Sequence, residues 1–126
     1  MGNRWIPAAA LAAAAAAAFL LFRPQPVFNG SRTGSDSQFR MEFTVMNTTD
    51  SQRLELEAGD VLRADIVSRG GRLDVSIQRE GGPVLYEGER LTTGSFELPV
   101  EESGIYVVAV TGSRARDSVS FVRQAG

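Results

Sequence analysis

From residue 39 onward the chain alternates. In FRMEFTV, Phe39, Met41, Phe43 and Val45 fall on one face, and Arg40, Glu42 and Thr44 on the other. A repeat of two is that of a half-buried strand. The same alternation returns in RLELE, VLRADIVS, RLDVSIQR, PVLYEG, GSFELPV, GIYVVAVTG and DSVSFV, giving eight short runs separated by turn residues. This spacing predicts an all-β, jelly-roll-like antiparallel β-sandwich of seven or eight strands over residues 39–124. No stretch after residue 30 holds helical spacing for any length.

Two turns suggest a register. With Gly70-Gly71 as a two-residue turn, Ile66 faces Val75 and Ala64 faces Ile77. Arg63, Asp65, Ser76 and Gln78 then share the opposite face. With Gly81-Gly82 as the next turn, Ile77 faces Tyr86, and Val84 shares their face. Pro83 opens that strand, where a missing N–H is tolerated.

The run Ile105–Val110 departs from the pattern because all six residues are apolar. Both of its faces need cover. A loop or an N-terminal strand is one source of that cover. A partner is the other, in which case Ile105, Val107 and Ala109 line the partner surface.

The N-terminal part follows neither period. Trp5 to Phe22 is 18 residues without a charge, ten of them alanine between Ala8 and Ala18. As a helix it would be about 27 Å long, close to the ~30 Å hydrocarbon core. Alanine is nearly neutral for insertion, so the drive comes from Ile6, Leu11 and Phe19-Leu20-Leu21-Phe22, each contributing about −0.3 to −0.6 kcal/mol near the centre. Pro24 and Pro26 stop the helix after Arg23. A secretory signal would end in small residues, but every A-x-A match precedes Phe19, and no alanine occurs between Phe19 and Glu57. Residues 1–23 therefore read as an uncut single-span anchor crossing with residues 5–22, with secretion after signal cleavage as the alternative. The spacing Ala8, Ala12, Ala16 would also let the helix pack closely on other membrane helices, an alternative structural or assembly role. Residues 24–38, rich in Pro, Gly and Ser, read as a flexible linker.

Composition removes much chemistry. Neither cysteine nor histidine occurs, which excludes disulfides, thiol or Ser-His nucleophiles and nearly every zinc site. It also excludes a lipid-modified cysteine after the apolar run. All 13 cationic residues are arginine, and they are scattered along the sequence without a basic stripe, so nucleic acid is not an expected partner. Glu101-Glu102 reads as a solvated turn. Asp36, Asp50, Asp60, Asp65 and Asp74 form no calcium-loop spacing. Tyr86, Phe96 and Tyr106 read as core. No catalytic residue, cofactor or metal ligand is expected.

Certain features occur in a telling order: Ala58-Gly59-Asp60 before a strand, Leu73-Asp74-Val75-Ser76-Ile77, the Gly81-Gly82 turn, and Gly104-Ile105-Tyr106-Val107-Val108-Ala109-Val110. Over about residues 50–122 the chain thereby resembles the prepeptidase C-terminal domain and, more loosely, the GOLD domain, small extracytoplasmic β-sandwich modules. The resemblance implies a non-catalytic accessory module outside the cell; such modules bind polymers, proteins or calcium, or space other parts, and a protein or surface polymer is the partner expected here. It assigns no binding residues.

Overall fold

The computed structural model of the chain describes residues 27–125. The expected membrane segment over residues 5–22 lies outside them. The eight alternating runs are eight strands: β2 (Gln38–Met46), β3 (Thr49–Leu56), β4 (Val61–Ser68), β5 (Arg72–Arg79), β6 (Val84–Gly88), β7 (Gly94–Pro99), β8 (Gly104–Ser113) and β9 (Asp117–Gln124). A ninth, β1 (Phe28–Gly34), pairs antiparallel with β2 inside the stretch expected to be linker. Every residue of β1 is exposed. It adds hydrogen bonds to the sheet edge and little to the core, where only Phe28 rests on the Phe43 ring with centroids 6.0 Å apart, which is why its hydrophobicity gave no signal.

The strands form two antiparallel sheets, ordered β1-β2-β9-β4-β7 and β3-β8-β5-β6. Only β1–β2 and β5–β6 are hairpins, and every other connection crosses from one sheet to the other. Strands β2 to β9 in this order make a jelly roll. Between the sheets lie Phe39, Phe43, Met46, Leu54, Leu62, Leu73, Val108 and Phe121, all at most 2% exposed. Phe39 and Phe121 stack across adjacent strands with ring centroids 6.3 Å apart.

The Gly70-Gly71 hairpin is not present. β4 pairs with β7 and β9, whereas β5 pairs with β6 and β8. Ala64, Ile66, Val75 and Ile77 do all point into the core, but from opposite sheets. Only Gly71 has a positive φ, of 73°, whereas a type I′ hairpin needs it at both positions. The Gly81-Gly82 turn does close a hairpin, and Ile77 does face Tyr86. Leu85 is then an extra residue, because Gln78 faces Val84. This bulge turns Leu85 toward the core and leaves Val84 on the outer face, 52% exposed, against expectation. A second bulge, at Thr44 opposite Asn29 and Gly30, puts Met46 rather than Val45 into the core.

Polar groups fix the corners. The Asp60 carboxylate, 5% exposed, accepts the Glu57 N–H at 2.8 Å and meets Arg123 Nε at 2.6 Å. The fully buried Asp117 accepts the Arg69 N–H at 2.8 Å through Oδ1, and its Oδ2 has no partner among the described residues. Each open side of the sandwich is closed differently. Arg32 reaches from β1 to β3, donating to Asp50 at 2.6 Å and to the Ser51 carbonyl at 2.8 Å, and lies 4.8 Å from the Phe39 ring centre. On the other side Tyr86 of β6 packs on Phe96 of β7, with centroids 4.5 Å apart.

Candidate functional site

Strand β8 lies in the middle of the four-stranded sheet, so its outward residues have neighbours on both sides. Tyr106, Val108 and Val110 point inward and are buried. Ile105, Val107 and Ala109 point outward and are half-buried. The pairing places Ser51 and Ser76 beside Ala109, Arg53 and Gln78 beside Val107, and Glu55 beside Ile105. Val84 extends the Val107 row onto β6. The three residues singled out from sequence therefore form one apolar stripe, and exposed Val84 lies two strands away across Gln78.

The cover over this stripe is not the expected N-terminal strand, which edges the opposite sheet. It is an ion pair. Arg53 of β3 meets Glu80, which follows β5, at 2.9 Å. The backbone N–H of Glu80 bonds the Ile105 carbonyl, and Arg53 sits opposite Val107, so the pair arches over β8 between those two residues. The arginine stem shields apolar surface while its head stays wet. Both partners are more than half exposed, so the arch contributes at most about 1 kcal/mol and yields readily to another ligand.

Beyond Ala109 the small side chains leave a depression of about 190 Å³ bordered by Asp74, Ser76, Glu87 and Thr111. Burial pushes the Asp74 carboxyl up, but the Arg72 side chain and the Arg90 N–H outweigh it and hold the carboxyl below its ordinary value. The opposite outer face, on the five-stranded sheet, is polar. Thr33, Arg40, Ser120, Asp65 and Ser95 form one row across it. There the Ser95 hydroxyl, donating at 2.6 Å, and the Arg63 guanidinium hold Asp65 below the usual carboxylate range.

A further groove of about 390 Å³ runs between edge strands β6 and β7, lined by Val84, Leu85, Leu98, Pro99 and Tyr106. Sequence reasoning missed it, because it arises only where the edges of two sheets meet. The one available signal was Pro83 and Pro99, each at the end of an edge strand. The aspartates weighed for calcium do not converge. Asp50, Asp60, Asp65 and Asp74 each pair with a different arginine. Among the described residues no three acids gather as a metal-ligand set. Glu102 pairs with Arg79 at 2.8 Å, and its carbonyl accepts the Tyr106 hydroxyl at 2.7 Å.

No family model and no curated protein matches the chain. Among solved structures it is similar to PliG of Aeromonas hydrophila, a periplasmic inhibitor of g-type lysozyme, at 14% identity and a TM-score of 0.46, over 77% of this chain and 88% of that one. It is also similar to a cupin domain from Bordetella pertussis, at 10% identity and a TM-score of 0.38, over 81% of this chain and 98% of that one. A third similar structure is TmCBM61 in complex with β-1,4-galactotriose, at 22% identity and a TM-score of 0.41, over 77% and 70% of the two chains. Likenesses this distant say nothing about what this chain binds.

Proposed function

We propose that the protein is a non-catalytic β-sandwich binding module, held at the cell membrane by residues 5–22 with its sandwich outside the cytoplasm. It takes a protein or surface polymer on the outer face of the β3-β8-β5-β6 sheet. The observation that carries this reading is the stripe Ile105, Val107 and Ala109, with exposed Val84 on the same face across Gln78, under an ion pair that a ligand displaces at little cost. A flat face with an apolar middle and a rim of Ser51, Ser76, Arg53 and Gln78 suits an extended segment. Absence of catalysis is supported by the lack of histidine and cysteine and by acids that pair with arginines instead of facing each other across a cleft. Kinship with the prepeptidase C-terminal and GOLD-like modules belongs to the same proposal.

The test is site-specific photo-crosslinking in cells that produce the protein. A photoreactive residue at Val107 should give a discrete adduct that Ile105→Glu abolishes. One at Ser95, on the opposite face, should give none. Equal adducts from both faces, or none from Val107, would remove this face as the binding surface.

A further inference from the structure

The arginines that look scattered along the sequence are gathered in space. In an antiparallel sandwich successive connections lie at alternate ends. One end holds residues 47–48, 69–71, 89–93 and 114–116, and the other holds 35–37, 57–60, 80–83 and 100–103. The first set carries Arg69, Arg90, Arg114 and Arg116 against one acid, Glu89. The second carries six acids and no arginine. The domain therefore has a basic end and an acidic end.

The four arginines are exposed, and none forms an ion pair among the described residues. Elsewhere in the described chain only Arg40 lacks one. Ion pairs therefore do not account for the basic end, although the Arg90 charge also helps to lower the Asp74 carboxyl. Backbone conformation singles it out as well. Arg90 and Arg114 are the only described non-glycine residues with positive φ, 50° and 51°. The Arg90 N–H donates to Asp74 at 2.9 Å and the Arg114 N–H to Asn47 Oδ1 at 3.2 Å, so local hydrogen bonds hold both conformations.

The chain enters at this same end. Val27 and Phe28, 41% and 38% exposed, lie beside Met46 and Asn47. Five residue steps separate Val27 from Phe22, a reach of at most about 18 Å. If residues 5–22 span the bilayer, as proposed above, the basic end lies within that reach of the headgroups.

We infer that this end, through Arg69, Arg90, Arg114 and Arg116, docks on the anionic headgroups of the membrane holding the protein, and so fixes the sandwich upright with the β8 face turned sideways for a partner. The inference rests on the anchored reading. Arginine near an anionic surface gains about fivefold in partitioning per residue.

Because the chain lacks cysteine, single labels are easily placed. Full-length Thr92→Cys (basic end) and Glu101→Cys (acidic end) proteins, each carrying a fluorophore, are reconstituted into vesicles containing a headgroup-spin-labelled lipid. Adding phosphatidylglycerol to phosphatidylcholine should increase quenching at position 92 severalfold and leave position 101 unchanged. Raising the salt concentration, or changing all four arginines to glutamine, should abolish the increase. The side chains are exposed and unpaired, so the variant should keep its melting midpoint; the salt series on the unaltered arginines decides the matter if it does not. Quenching independent of phosphatidylglycerol or of the arginines would overturn the docking while leaving the anchor intact. A protein that alkaline wash strips from the vesicles would overturn the anchor instead. Docking then stands or falls on arginine-dependent flotation of the full chain with phosphatidylglycerol vesicles.

Discussion

Three glycine-to-alanine changes separate a sheet-crossing corner from a hairpin at residues 70–71. Gly71 and Gly81 share the same φ of 73°, so alanine bears the left-handed cost of about 1–2 kcal/mol at both. At Gly81 a Cβ meets nothing within 4 Å, so that cost is the whole effect. At Gly71 the Cβ would press on the Arg114 carbonyl and stand 2.7 Å from the Ser113 oxygen. Those atoms are the backbone of the neighbouring β8–β9 corner and cannot rotate away, which adds a further ~1–3 kcal/mol. Gly70 lacks a positive φ and has open space, so alanine there should be neutral or stabilise by about 0.4–1 kcal/mol through the unfolded chain. Urea denaturation of the full-length protein, followed by circular dichroism, should rank Gly71→Ala least stable, Gly81→Ala intermediate, and Gly70→Ala at or above the parent. With about 4–8 °C per kcal/mol for a domain of this size, thermal midpoints should resolve the same order. Equal losses at positions 70 and 71 would refute the corner, since a type I′ hairpin requires left-handed backbone at both.

Other outcomes follow from the polar contacts. Asp60→Ala removes the acceptor of the Glu57 N–H and the close partner of Arg123, and should cost about 2–4 kcal/mol by denaturant titration. Arg32→Ala should free β1, raising hydrogen exchange over residues 28–34 several-fold while the β4 and β9 amides stay protected. Asp65 and Asp74 have folded pKa values below their unfolded ones, so their contribution is present above about pH 4 and is lost as pH falls through the lowered values. Thermal midpoints should drop on acidification below about pH 4, and less steeply in the Asp65→Asn/Asp74→Asn double variant.

The alternating runs made eight of the nine described strands legible, because each buries one face against a common core. β1 escaped because its inward positions are Phe28, Gly30, Arg32 and Gly34, held by hydrogen bonds and an arginine clamp instead of apolar burial. Sheet membership was not legible at Gly70-Gly71, since inward-facing residues alternate identically whether two strands pair or face each other across a core. Val45 and Val84 were placed on the wrong face for a shared reason. In each strand a bulge inserts one residue and reverses the alternation, and nothing in TVM or PVLYE announces it. The β8 stripe was visible because six consecutive apolar residues cannot all face one core. Its cover was not, since Arg53 and Glu80 meet only once β3 and β5 flank β8. The polar ends were present in the sequence as alternation from turn to turn, acidic then basic, which has meaning only after the strands are known to run antiparallel.

The proposed anchor underlies both the proposed placement of the binding face and the inferred docking of the basic end, and the protein's own N-terminus tests it most directly. Protein recovered from the membrane fraction after alkaline wash should begin at Met1 or Gly2 by intact-mass and N-terminal sequence analysis. A start near Phe19 or beyond would mean that the apolar segment is removed and the sandwich released, and would contradict the account.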